Sequence, residues 1–347
     1  MANNDDDDDL HDASWDDDEH RGDKIRLNRD LLLAARTMGD NQARYLVSLY
    51  YLEQEMRKRA DNQLRTLEDN DDPDEVVSFV AEHSYVMEKQ IAKGLKEYTS
   101  THIMGDWLKA IHGIGPVLSA GLMAHIFVGM WCAHCRGRSA KDCEKRQADK
   151  KRKLVPHKFE PVEACPTVGH IWQFGGIAGD GQRKWVKGER RPYNAEFKTL
   201  LWKVGQSFMK FHTNPKCYYG HFYENRKAYE IENNEAGRLA ERAAESLPHF
   251  NPKTESYKYY SVGKLPPAHI DARARRYCVK IFLAHFFEEW YRRTYNKEPP
   301  LPYPIAFMGH AHRHAPPPMP PDSPSPDSPK AEKPKKKKAA KPKRKAA

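Results

Sequence analysis

The chain has no long apolar run. Its longest, residues 117–131, falls short of the roughly 20 residues a bilayer-crossing helix needs and is interrupted by His125. No membrane role is therefore expected. Nothing resembling a secretory leader precedes the acidic start, so the six cysteines are expected to stay reduced, which favours metal binding over disulfides. The expected location is the cytoplasm, in association with the nucleoid. Residues 168–198 contain neither serine nor threonine, and Tyr193 is their single hydroxyl, so the usual alcohol nucleophiles are missing from that stretch.

Both ends are short of apolar residues. Residues 3–23 carry eleven acidic side chains against Arg21 alone, a composition that cannot offset the entropy of ordering itself. From residue 316 the chain is mostly Pro, Ser, Ala and Lys, with ten basic and three acidic residues. Of the formal net charge of +10, the head holds −10 and the tail +7, leaving +13 for residues 24–315. A segment expected to fold and to be this basic points to a polyanionic partner, since each phosphate neutralised by Lys or Arg releases condensed counterions. DNA is the expected partner, with structured RNA as the alternative.

What remains reads as mainly α. We divide the chain into a disordered acidic head (1–24), a long-helix region (25–103), a helix-hairpin-helix element (104–130), a Cys-rich basic insertion (131–166), a helical region (167–314) with a basic loop at 175–192, and a disordered Pro/Lys-rich tail (315–347). Asp40 can cap a helix whose apolar stripe is Tyr45, Leu49, Leu52, Met56, Ala60, Leu64 and Leu67. A second helix is expected from Asp72 as cap, Pro73 at the first position and Glu75 closing a capping box, with Val76, Val80, Met87, Ile91 and Leu95 on one face. The two are expected to pair as a hairpin within the chain or to zip to a second copy. Further helices are expected to resume at Asn194. Residues 247–267, with four prolines, read as an ordered connector before a last long helix over 268–295.

The sharpest local pattern is Ile111-His112-Gly113-Ile114-Gly115-Pro116, preceded by helical residues including Lys109 and followed by an apolar helical stretch. The glycines permit a tight turn, Pro116 opens a helix without needing a donor, and the free amides of that helix start can face an anion. Such a hairpin grips a sugar-phosphate backbone without reading bases. The second pattern is Cys132-Ala133-His134-Cys135, Cys143 and Cys165, with ten Lys or Arg residues between Cys135 and Pro161. Four thiolates suit a tetrahedral structural zinc that would fold an otherwise polar insertion, with His134 or His157 as an alternative to one cysteine. Cys217 and Cys278 stand alone and suit core packing. Third are two basic surfaces. Arg183, Lys184, Lys187, Arg190 and Arg191 surround Trp185 in the Gly-rich loop, and Arg273, Arg276 and Lys280 share one face of the last helix. The triplet His310, His312 and His314 reads as an exposed histidine run.

The order of three motifs carries a family resemblance: His112 to Pro116 running into residues 120–126, then Gly169 to Gly176, then Lys198 to Gly205. Over residues 105–230, about a third of the chain, this resembles the carboxy-terminal transposase domain of the IS-one-ten, IS-one-sixteen and IS-nine-oh-two insertion-sequence transposases. The resemblance implies DNA recombination guided by a structured RNA, using an acidic cluster on a preceding RuvC-like domain and a serine in the Gly-rich stretch. Neither is found in this sequence. The residues before the hairpin show no alternating β pattern that could set carboxylates around a metal, and the Gly-rich stretch has no serine. The expectation is a transposase-like DNA-binding protein of a mobile element, phage or bacterium, without its own cleavage chemistry. The alternatives are a recombinase or nuclease subunit completed in trans, and an architectural or interaction protein.

Overall fold

The structure is a computed structural model that describes residues 26–68, 74–179, 185–309 and 313–317. The acidic head, Asp72, Pro73, Arg183, Lys184, His310, His312 and the Lys-rich tail lie outside the described residues. The architecture is mainly helical, as the periodicity implies, with a two-stranded sheet in the Cys-rich insertion. No helix among the described residues is long and apolar enough to cross a membrane.

The amino-terminal part comprises α1 (Arg29–Ala35), α2 (Asp40–Glu68) and α3 (Glu75–Ser100). Asn28 caps α1 by accepting from the Leu31 amide at 2.8 Å. The capping residue of α3 is Asp74, which accepts from the amides of Val76 and Val77 at 2.8 and 3.1 Å, so this helix starts two residues later than the Asp72 cap implies. Asp40 is likewise not a cap. It is the first residue of α2, and its carboxylate accepts from the Tyr98 hydroxyl at 3.1 Å and pairs with Arg138 of the insertion. Helices α2 and α3 pack against each other as an intrachain hairpin.

The faces of that hairpin match the expected ones only in part: Ala60 of the α2 stripe is buried and Leu49 packs partly buried on the core. Tyr45, Leu52 and Met56 are exposed, and the buried line of α2 is Ala43, Val47, Tyr50 and Gln54. Both lines have helical spacing, and the small Ala43 and the Arg57–Glu88 ion pair at 2.8 Å belong to the line that closes on the rest of the protein. On α3, Val76, Val80 and Met87 are exposed, whereas Ile91 and Leu95 are buried with Ala92 and Tyr98.

Two short helices follow, α4 (Gly105–Ala110) and α5 (Pro116–His125). The insertion then holds β1 (Met130–Cys132), α6 (Ala140–Ala148) and β2 (Pro161–Glu163), with β1 and β2 antiparallel in the register Met130↔Glu163 and Cys132↔Pro161. Beyond it lie α7 (Val168–Phe174), α8 (Ala195–Lys210), α9 (Tyr218–Glu235), α10 (Ala240–Ser246), α11 (Glu255–Ser261), α12 (Pro267–Tyr295) and α13 (Tyr303–Phe307). Helix α8 begins where expected, with the Asn194 side chain accepting from the Phe197 amide at 2.8 Å. The expected connector at 247–267 contains a 3₁₀ turn (Leu247–His249) and α11.

Helix α12 is the axis of the fold. Residues 282–288 are buried on every side, with Phe282, Leu283, Phe286 and Phe287 joined there by His285 and Glu288. Trp107 of α4 stacks on Phe282 with ring centroids 6.0 Å apart, and Phe208 of α8 and Tyr219 of α9 meet the same ring at 5.3 and 5.2 Å. One phenylalanine thus joins three helices, including the first helix of the hairpin.

The polar counterpart is Glu230 of α9, whose side chain is 1% exposed and accepts from Arg226 and Arg273 at 2.6 and 2.7 Å. Burial pushes the Glu230 carboxyl up, but the two guanidinium groups outweigh it and hold the acid below its ordinary range. A folded-state value below the unfolded one means that this stabilisation is complete above the ordinary Glu value of 4.5 and is lost as pH falls through the lowered folded value. Glu230→Gln should cost roughly 2–3 kcal/mol, less than a fully buried pair because both arginines are partly solvated. Urea denaturation at pH 7 and near pH 3 checks this, with the difference between the two proteins shrinking at the lower pH.

Candidate metal centre and basic surfaces

The insertion is too polar to pack by itself. Cys132, Cys135 and Cys143 form its small core, with Leu154 and Phe159 packed against them. The chain turns between β1 and α6 in a tight knuckle. The Cys132 amide donates to the Gly137 carbonyl at 2.8 Å and Arg136 adopts φ 58°. A Cβ on Gly137 would come within 2.8 Å of the Cys143 backbone nitrogen, so no side chain fits there. Ser139 caps α6 by accepting from Asp142, which aims Cys143 on the first turn at the knuckle.

The sulfur of Cys143 lies 3.4 Å from that of Cys135, 3.8 Å from that of Cys132 and 3.3 Å from Nε2 of His157. Ligand atoms of all four residues lie within 4.8 Å of one another. Sulfurs each about 2.3 Å from one tetrahedral ion are about 3.8 Å apart, so the spacing fits such an ion. The imidazole of His157 has the orientation a ligand needs. Its Nδ1 lies 2.7 Å from the Val155 carbonyl, which can only accept, so Nδ1 carries the proton and Nε2 keeps its lone pair toward the thiols. Gln147 braces the fourth position. Its side chain donates to the His157 carbonyl at 3.0 Å and to the Cys143 sulfur at 3.3 Å, and accepts from the His157 amide at 2.9 Å. Burial raises the Cys132 thiol, but backbone hydrogen bonds around the knuckle outweigh it and bring it below the ordinary range, while burial and the neighbouring thiols raise Cys143. These four side chains could hold a metal ion such as zinc.

Cys165 is not the fourth ligand. The strand register ends at Glu163, and Cys165 falls beyond it in the main core, apart from the cluster of the other three cysteines and His157. His134 is also excluded. Its Nε2 faces the Glu160 carboxylate at 3.0 Å on the exposed side of the knuckle. His157 is brought to the thiols by its hydrogen bonds to Gln147, a contact that spacing along the chain does not reveal. Cys217 and Cys278 are buried in the main core, as their isolation implies.

The expected hairpin forms between α4 and α5. Gly113 takes φ 95°, and its carbonyl accepts from the Ser207 hydroxyl at 2.5 Å. Gly113 and Ile114 are buried against α8, so they support the turn and do not present a surface for a phosphate. Gly115 and Pro116 form its accessible part. Gly115 is the N-cap of α5, Pro116 follows at the first position, no side chain caps the helix, and a Cβ on Gly115 would meet nothing within 4 Å. Lys109 and Lys216 are exposed, and Lys216 is close enough to His112 to help lower its pKa after the larger effect of burial.

No family model, curated protein or solved structure matches this chain.

The expected basic surfaces are divided by the fold. In the loop before α8, Lys187, Arg190 and Arg191 are exposed and form no ion pair among the described residues. The Trp185 indole donates to the Glu189 carbonyl at 2.8 Å, and Arg191 lies over its ring at 5.4 Å, so one face of this platform is occupied. Arg273, Arg276 and Lys280 do not act as one face. Arg273 is held by buried Glu230, Lys280 sits over the Trp172 ring at 4.5 Å, and Arg276 alone is exposed. The sequence pattern places the three on one side of a helix but does not show that α9 and α7 cover two of them. His314 of the histidine run is tied in by Tyr277 at 3.0 Å.

Loading with zinc should give one ion per chain by atomic absorption. His157→Ala and Cys143→Ser should each lose roughly tenfold or more in metal affinity, and Cys165→Ser should keep the metal. Retention by His157→Ala together with loss in Cys165→Ser would reverse the assignment.

Proposed function

We propose that the protein binds the backbone of DNA through the α4–α5 hairpin, with the loop at 185–191 and a zinc-folded basic insertion adding non-specific affinity. The observation that carries this reading is the uncapped start of α5 at Gly115, which opens on free space. The first amides of a helix have no intrahelical acceptor and sit at the positive end of its dipole, which favours a phosphate. The resemblance of residues 105–230 to insertion-sequence transposases agrees with this role, and structured RNA is the competing ligand. Zinc is the proposed resident ion because three thiols and one imidazole form a closed structural set. Its part is to hold the insertion, which turns the exposed Lys141, Lys145, Lys150, Lys151 and Lys153 outward. Binding without cleavage is the proposed activity, since residues 168–198 lack serine and threonine.

Gly115→Asp separates binding from folding. Gly115 has φ −79° and ψ 175°, which any residue adopts, and aspartate is a better helix cap than glycine by a few tenths of a kcal/mol. The variant should be at least as stable as the parent and bind duplex DNA roughly tenfold more weakly in gel shifts, with affinity of both proteins falling steeply as salt rises. Equal affinity of the two proteins would remove the hairpin from the interface.

A second reading concerns assembly. Leu52 and Met56 on α2 and Val76, Phe79 and Val80 on α3 are large apolar side chains left exposed by the hairpin. We propose that two copies associate through these helices. Sedimentation should show a dimer that Phe79→Glu returns to monomer, and a monomeric parent would refute it.

A further inference from the structure

A cavity of about 540 Å³ opens between α8, α12 and the α10–α11 segment. Its size falls within the range of sites that take small-molecule ligands. The floor is apolar, with Leu201 and Val279, and exposed aromatic rings stand at its edge from two separate elements, Trp202 of α8 and Phe250 after the 3₁₀ turn. Trp202 is 55% exposed, an unusual position for a large indole.

The polar lining is one-sided. Lys198, Arg275 and Arg276 contribute positive charge, and none of the described lining residues is Asp or Glu. Arg276 forms no ion pair among the described residues and is crowded by Arg273 and Arg242. Arg275 lies 2.7 Å from Asp271 through Nε, but its buried Nη1 has no hydrogen-bond partner, and its guanidinium carbon sits 5.9 Å from the Trp202 ring. His269 on the wall is held by the Tyr260 hydroxyl at 3.0 Å. The nearby acids are committed elsewhere: Asp271 to Arg275 and Lys227, Glu230 to Arg226 and Arg273. Arg276 and Lys198, the latter over the Tyr193 ring at 4.2 Å, have no acidic partner among the described residues, and beside an aromatic platform they suit a ligand with a flat ring at one end and an anion at the other.

We propose that this cavity binds a single nucleotide, with the base against Trp202 and the phosphate on Arg276 and Lys198. The nucleotide is either a free nucleoside monophosphate or one unstacked residue of a strand, and only the second source rests on the nucleic-acid reading above. This site is separate from the hairpin, and it would select single-stranded or distorted nucleic acid, which the hairpin does not.

Titration calorimetry on the full chain tests it with a nucleoside 5′-monophosphate, the parent nucleoside, inorganic phosphate and a short single strand. The monophosphate should bind roughly tenfold more tightly than either nucleoside or phosphate alone. Trp202→Ala and Arg276→Ala should each weaken it by a similar factor, and Arg276→Lys should restore part of the loss. Both side chains are exposed, so the variants are expected to fold, which a thermal melt verifies. A strand that binds more tightly than the monophosphate and shows the same dependence on both residues identifies the strand as the source. A monophosphate that binds as well or better identifies the free nucleotide. Uptake of neither, equal binding of phosphate alone, or indifference to both substitutions would overturn the proposal. Duplex binding without nucleotide uptake would sink the cavity and leave the hairpin reading intact, and the opposite result would do the reverse.

Discussion

The ring of Phe282 is where the fold is tied together. Trp107, Phe208 and Tyr219 approach it from three different helices, and Phe286 continues the stack one turn along α12 at 6.1 Å. Aromatic groups of this size bury large areas and have preferred relative orientations, so their mutual packing sets both distance and angle between helices. Because Trp107 belongs to α4, the same cluster fixes the approach of the hairpin. Ser207 and Phe208 on α8 then press the inner half of the turn into place, leaving Gly115 and Pro116 at the surface. A hairpin braced in this way holds its helix start in one place.

Charge is arranged by the same constraint. The buried stretch 282–288 of α12 leaves its arginines to the two ends of the helix, where they meet acids of α12 itself and of neighbouring elements. Arg273 is held by Glu230 and Arg293 by Glu289 and Asp106, while Arg275 lies 2.7 Å from Asp271 with part of its guanidinium left without a hydrogen bond. Among the described residues, Lys187, Arg190 and Arg191 of the loop before α8, Lys141, Lys145, Lys150, Lys151 and Lys153 of the insertion, and Arg276 at the cavity are exposed cations without such a partner.

The insertion follows a different logic. It has almost no apolar core beyond three cysteines, Leu154 and Phe159, so its compactness depends on what the thiols and His157 share. It is joined to the rest by Arg138 on Asp40 and by Tyr291 on Glu163 at 3.3 Å, contacts that need the knuckle in place. The three thiols that, with His157, could hold a metal ion are also the local core.

The extents of the helices were largely legible, as for α8 with its Asn194 cap and for α12 after its opening prolines, because those signals arise from neighbours along the chain. The turn at 111–116 and the Cys132–Cys135 knuckle were legible for the same reason. Which side of α2 is buried was not, since Ala43-Val47-Tyr50 and Tyr45-Leu52-Met56 are both helical lines and only the approach of α3 and α5 chooses between them. The replacement of Cys165 by His157, the division of Arg273, Arg276 and Lys280 among three environments, and the gathering of Lys198, Trp202 and Arg276 around one cavity were likewise decided in three dimensions. Local propensity and charge are properties of short stretches of chain. Ligand sets and surfaces depend on residues that only packing brings within a few ångströms of one another.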